Sequence, residues 1–352
     1  MAIVDKSTDY FNATLYTGNA SSPRTISGVG FSPDLVWNKC RASGDNRLVD
    51  QVRGANKEFA SNRTIAEFSN NSDGNLTAFT SDGFTITAGS TNINNWNKSS
   101  DDYVSWDWKA NGSGSSNTAG SINSTVSVNT ESGCSIVTYS GTNGTATVGH
   151  GLGTAPDFIW CKALNAVKNN TVYHSSLGAT KSLYLDEDTA GTTSYDYWAD
   201  TEPTSTVFTV KKDGSYDETN GSGINYVAYC FSERPGFSKM SEYTGNGSAD
   251  GTFVYTGFKP AFVMNKKTDG TMDWHIWDNK RNPFNVINTL LYPNLSNAAD
   301  TLTSLDFVSN GFKIRDSRNF INANGSPYIY MAFAENPFVT STGNGSIPGT
   351  AR

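Results

Sequence analysis

The residues able to do acid–base or nucleophilic chemistry are few and scattered. There are three histidines, His150, His174 and His275, at different places relative to the chain's other landmarks. No HExxH, GxSxG, P-loop or zinc-type spacing occurs. The four cysteines, Cys40, Cys134, Cys161 and Cys230, form no CxxC pair and read as free, buried thiols of a chain folded in a reducing compartment. The acidic run Asp186-Glu187-Asp188 could offer oxygens to Ca²⁺ but reads more simply as a solvated loop. The stretch Asn70 to Asn75 resembles a calcium loop loosely and lacks the closing Glu. Glycoside cleavage needs two carboxyl groups held a few ångströms apart, and no such pair is marked out in the sequence. The expectation is a protein without catalytic activity, metal or cofactor.

The aromatic residues offer a different chemistry, stacking on a sugar ring. Trp274 and Trp277, flanked by Asp273 and Asp278, are candidates. So are Trp96, Trp198 and the segment Tyr195-Asp196-Tyr197, all in stretches that differ between otherwise similar parts of the chain. Loops on a rigid β-scaffold commonly carry binding function, although most tryptophans in such scaffolds are core anchors.

Any such site must be positioned by β-structure. Of 352 residues, 36% are hydrophobic, 12% aromatic and only 17% charged, with 33 glycines. Aromatic and β-branched residues suit strands, and Gly and Asn suit turns. The net charge of −7 and the absence of Lys/Arg clusters make a poor match to a phosphate backbone, so nucleic acid is not an expected partner. No apolar run has the length of a membrane-spanning helix, and no basic-then-apolar secretory signal opens the chain, so neither membrane insertion nor secretion is expected.

The chain is organised by one stretch that occurs three times. It runs Tyr16 to Lys39, Tyr139 to Lys162 and Tyr243 to Lys266. Tyr16, Tyr139 and Tyr243 are offset by 123 and 104 residues, and Pro33, Pro156 and Pro260 and Lys39, Lys162 and Lys266 keep the same offsets. A period near one hundred residues fits whole small domains. Each copy continues into a short apolar run, such as Leu35-Val36-Trp37, and ends in an alternating aromatic strand: Tyr103 to Trp108, Tyr226 to Phe231 and Tyr328 to Phe333. The predicted fold is all-β, with three tandem homologous β-sandwich domains of jelly-roll-like type.

The expected division is a lead-in (1–9), a first repeat (10–109), a flexible Gly/Ser/Asn-rich linker (110–131), a second repeat (132–234), a third repeat (236–338) and a flexible tail (339–352). The second and third repeats should touch, with the first on a longer tether. Both faces of the closing strands carry aromatic residues, which predicts a further covering surface: the adjacent domain for the second and third repeats, and other copies of the chain for the first repeat and the tail from Val339.

The combination Y-T-G-N, G-F-x-P-D-L-V-W-x-K, D-x-V-R-G, D-G-F-T and a closing Y-V-x-W-x-W, read here from Tyr16 to Lys109, resembles a repeated β-domain of tailed-phage virion proteins. These are tail fibre or tail proteins of phages infecting cyanobacteria and other marine bacteria. The second copy lacks the Arg of D-x-V-R-G, and the third has Ala261 where Asp would stand. The resemblance implies a non-enzymatic virion structural protein, made in the host cytoplasm and placed on the outer surface of the particle. A tail fibre or knob engaged in host attachment is the first reading, and a capsid decoration protein at a head fibre or vertex is the second. A lectin or adhesin, or a polysaccharide-depolymerising tail spike, is the alternative of another class. Implied partners are other virion proteins, further copies of the chain as a trimer or ring-bound subunit, and a host-surface glycan.

Overall fold

The chain is described by a computed structural model over residues 4–69, 72–90 and 95–337. Each repeat opens with a strand whose tyrosine lies opposite the tyrosine that begins the closing strand. Tyr16 pairs with Tyr103, Tyr139 with Tyr226 and Tyr243 with Tyr328. The rings stack at centroid separations of 4.9, 5.2 and 5.0 Å. Each opening hydroxyl donates to a backbone carbonyl of its own domain, that of Trp96, Thr219 or Ile321, at 2.8, 2.7 and 2.9 Å. A buried phenol needs such a partner, which explains why this landmark recurs.

The three main sheets share one antiparallel order: opening strand, closing strand, landmark strand, fourth strand. In the first domain these are Phe11–Thr17, Asp102–Trp108, Leu35–Cys40 and Asn46–Asp50. In the second they are Cys134–Ser140, Asn225–Phe231, Phe158–Ala163 and Asn170–His174. In the third they are Ser238–Thr244, Pro327–Pro337, Phe258–Lys267 and His275–Asp278. A smaller sheet closes each sandwich, built around Gly83–Ile86, Val207–Lys211 and Gly311–Ile314. First and last strands are neighbours in the main sheet, giving the jelly-roll-like sandwich read from the sequence.

Period-two alternation sends the two faces of each closing strand into different cores. Tyr103 lies in the first domain's own core, Tyr226, Ala228 and Cys230 in the second's, and Tyr328, Tyr330 and Ala332 in the third's. Val104, Trp106 and Trp108 meet Val227, Tyr229 and Phe231 and Ile329, Met331 and Phe333 in one core shared by all three domains. Trp108, Phe231 and Phe333 hold equivalent positions and form a closed triangle, with centroids 5.9, 5.7 and 5.6 Å apart. That triangle marks a pseudo-threefold axis within one chain. The covering surface expected from other copies is therefore supplied by the chain's own domains, and the first domain is not held on a loose tether.

The expected linker is also corrected. Residues 110–131 contain strands Ser115–Asn117 and Ser124–Asn129, which extend the second domain's main sheet beyond its opening strand. Ile122, Ser124 and Val126 alternate and are buried, a period-two pattern hidden by the Gly/Ser composition. The Asp34 carboxylate accepts the backbone N–H groups of Ala110 and Gly112 at 2.6 and 2.9 Å, fixing the exit from the first domain. Asp157 does the same for Glu233, at 2.8 Å. The tail 339–352 lies outside the described residues.

The junctions are cyclic. Lys39, Lys162 and Lys266 are fully buried, and each Nζ donates to a loop of its own domain and to a loop of another. Lys39 reaches Gly44 and Leu295, Lys162 reaches Lys168 and Thr64, and Lys266 reaches Met272 and Asp188. Burial pushes all three ammonium groups down to about 8, so they remain largely charged at neutral pH. Nearer the axis, Asp50 with Arg53 receives the hydroxyl of Tyr229, and Asp278 with Arg281 receives the indole N–H of Trp106. The equivalent pair in the second domain is His174 and Leu177, beside the third domain's Met331 strand, where His174 Nε2 lies 3.3 Å from the Tyr330 carbonyl. Tyr229 and Trp106 bring a polar tip to the junction and Met331 does not. The missing Arg of the second copy thus matches its partner.

Candidate ligand-binding groove

The four tryptophans expected to stack on a sugar are all buried, and that expectation is corrected. Trp96 and Trp277 are 0% exposed, Trp274 1% and Trp198 2%. Trp96 Nε1 donates to Glu58 at 3.1 Å, and burial pushes that carboxyl up to about 7. Trp274 Nε1 donates across a junction to the Tyr184 carbonyl at 2.9 Å. Trp198 packs edge-on against Tyr173, and Trp277 lies in the third domain's core. Large indoles at strand and loop bases anchor the sandwiches instead of serving their surfaces.

The histidines are structural too. His150 and His174 each turn both ring nitrogens to backbone groups. His275 is enclosed by Trp277, Tyr292 and Phe320. Burial lowers all three, His174 to about 4 and His275 to about 3, so they are neutral at pH 7. The four cysteines are free and buried. Among the described residues, no group of three or more His, Cys, Asp or Glu is placed to hold a metal ion. In the acidic run, Asp186 accepts the Asn170 N–H and Glu187 accepts the Asn169 amide and the Thr189 hydroxyl.

That same run borders a groove of about 600 Å³ on the outer side of the second domain, within the range of small-molecule sites. Its floor is Tyr184 and Tyr197, whose hydroxyls lie 2.9 Å apart. Its wall is Tyr195 and Tyr216, with centroids 4.3 Å apart, and Tyr195 also stacks on Tyr197 at 5.5 Å and 19°. Tyr216 is 43% exposed. Polar groups come from Asn169, Glu187, Glu218 and the 189–194 loop. Glu218 accepts the Asn169 N–H at 2.9 Å, and burial lifts its carboxyl to about 7.

The groove is held open by rigid parts. Asp188 and Gly191 are pinned to the third domain through Met272 N–H (2.7 Å), Lys266 and the Thr268 carbonyl (3.1 Å). Ser182 and Thr192 exchange both backbone hydrogen bonds at the loop's base. Thr171 sits where the first domain has Arg47 and the third has His275. Arg47 lies over Phe68 at 4.6 Å and pairs with Asp73, and His275 packs on Phe320 at 4.9 Å. The same register position therefore carries a buried threonine in the second domain and a long or ring-shaped side chain in the other two. Sequence reasoning picked out Tyr195 and Tyr197 and the acidic run but not Tyr184, Tyr216 or Glu218. The available signal was a tyrosine- and acid-rich stretch between two landmarks.

The chain is an all-β, pseudo-threefold scaffold with a surface groove on its second domain. The chain belongs to the family described as "Domain of unknown function (DUF7483)", which matches residues 6–337 and so spans all three sandwiches as one unit. Neither the curated proteins nor the solved structures contain a match. Among the described residues, no helix is long and apolar enough to cross a membrane.

Proposed function

We propose that the chain is a non-enzymatic structural protein on the outer surface of a tailed-phage particle, of tail-fibre or knob type, where it meets the host. The motif resemblance supports this reading. The observation that carries it is how the repeated residues are used. The lysine and closing-strand landmarks lock three sandwiches around one axis and the tyrosine pairs hold each sandwich together, while the outward loops differ freely. That is the division of labour of a scaffold presenting a surface. Other virion proteins are its partners. In a trimer or ring-bound arrangement, contacts between copies would come from outer loops, such as that bearing Phe284, 83% exposed, since the closing strands are covered within the chain. Cryo-electron microscopy of purified particles tests the proposal. Density at the tail or its tip supports it, density on the capsid replaces attachment with decoration, and absence of the protein from particles overturns it.

A further inference from the structure

We infer that the second-domain groove binds a neutral saccharide, with Tyr195 and Tyr216 as the stacking wall and Glu187, Glu218 and Asn169 as hydroxyl partners. The inference deepens the proposed attachment role and rests on it for its biological setting only.

Three observations select this ligand class. First, the rings pack directly against one another: Tyr195 stacks on Tyr197 at 19° and meets Tyr216 at 4.3 Å with the planes 50° apart. A cage for a quaternary ammonium needs rings arranged around a void. Rings packed against one another with Tyr216 43% exposed leave aromatic surface and no such void, which suits the C–H face of a pyranose. Second, carboxylates and an amide converge beside that surface. Carboxylate oxygens accept hydrogen bonds from neighbouring hydroxyl groups, and the Asn169 amide already orients Glu187 at 2.6 Å. Third, the surroundings are acidic. The nearby cations Lys168 and Lys211 are already paired with Asp217 and Asp196. A nucleotide or a uronate would bring its negative charge to this acidic rim, so a neutral sugar is favoured over either.

The groove is also prepared for a ligand. Its acidic loop is tied to the third domain and to the base of the second, so little ordering remains to be done on binding.

The test uses the full chain on immobilised neutral tetrasaccharides (hexose and N-acetylhexosamine), with uronate-containing and sialylated tetrasaccharides beside them, followed by calorimetric titration of whichever is retained. The expected result is retention of a neutral tetrasaccharide, weakened about tenfold or more by Tyr216→Ala and lost in Glu187→Gln combined with Tyr195→Ala. Tyr255→Ser, on the third domain, 59% exposed and outside the groove, should bind as the parent chain does. Retention of no neutral sugar, preference for the acidic ones, or unchanged binding by the groove variants would overturn the inference. Circular dichroism and unfolding curves on each variant exclude loss of fold as the cause. Release of reducing ends from the bound sugar would leave the saccharide site standing and overturn the non-enzymatic reading. Absence of the protein from particles, with sugar binding intact, would overturn the virion reading alone.

Discussion

The axial junctions and the second-domain groove answer to different constraints. Between the domains, three copies of one solution recur: a buried lysine bridging two loops and, at the axis, an aromatic side chain in a closed triangle. A change there in one copy needs a matching change in its neighbour, as His174 and Met331 show against Asp50 and Tyr229. The groove is lined by Tyr184, Tyr195, Tyr197 and Tyr216, from a stretch between landmarks that differs from the corresponding stretches of the other two copies. Repetition marks what holds the molecule together, and departure from repetition marks where a ligand can sit.

The comparison breaks most visibly at the axial ion pairs. Arg281→Ala leaves the Asp278 carboxylate, 0% exposed, without its guanidinium while it still accepts the Trp106 indole. Removing one member of a buried pair costs about 3–5 kcal/mol. Denaturant unfolding should show a loss of that size, and Arg53→Ala should lose a similar amount. A change below about 1 kcal/mol at either site would mean that the axial junctions are not what hold the domains together.

A smaller effect follows from Asp107, on the first domain's closing strand, where the other domains have Cys230 and Ala332. It is fully buried, its Oδ2 accepts the Ser105 hydroxyl at 2.9 Å, and desolvation lifts its carboxyl to about 8. The folded state therefore holds a proton that the unfolded chain releases near pH 4. Its contribution is fully present below that pH and is lost as pH rises through about 8. Asp107→Asn should remove that slope. The stability difference between variant and parent should shift by about 2 kcal/mol in the variant's favour between pH 6 and pH 8. Unfolding curves at the two pH values check it, and parallel pH profiles would show that the carboxyl does not titrate as its burial demands.

The lysine ring sharpens the comparison by its repetition. Lys162→Met keeps the stem but leaves the carbonyls of Thr64 and Lys168 without the ammonium. Two opposing terms act, since a buried charge is also removed, and the net cost should be about 1–2 kcal/mol. Lys39→Met and Lys266→Met should match it within about 0.5 kcal/mol. Unequal losses would show that the three bridges are alike in geometry and not in energy.

The sheets were legible because their constraints are short-range. Alternation in Val104, Trp106 and Trp108 announces a strand with one apolar face, and repeated spacing announces three domains. What could not be read was which face meets what. Both faces of each closing strand carry aromatic residues, and only the closed arrangement shows that one face serves the domain and the other the axis. The linker was misread because Gly and Ser dominate its composition while Ile122, Ser124 and Val126 carry its period. The tryptophans were misread because a surface-seeking indole and a core indole have the same neighbours in sequence. Tyr195 and Tyr197 were found, but Tyr184, Tyr216 and Glu218 join them only through tertiary contacts.

The smallest expected effect lies on the groove side of the comparison. Tyr216 is 43% exposed, on a turn where Asp213 and Tyr216 exchange backbone hydrogen bonds that a side-chain change leaves in place. Its ring touches Tyr195, itself half-buried, and does not enter a core. Tyr216→Ala should therefore alter stability by no more than about 0.5 kcal/mol. The buried landmark Tyr243, whose hydroxyl donates to the Ile321 carbonyl and accepts the Asn265 amide, offers the contrast. Tyr243→Phe deletes one oxygen, yet leaves both partners unsatisfied in the third domain's core and should cost about 1–3 kcal/mol. Paired thermal unfolding of the two variants measures the difference directly. Should the alanine at Tyr216 destabilise as much as the phenylalanine at Tyr243, the tyrosine wall is part of the scaffold and the groove loses its claim to be a free surface.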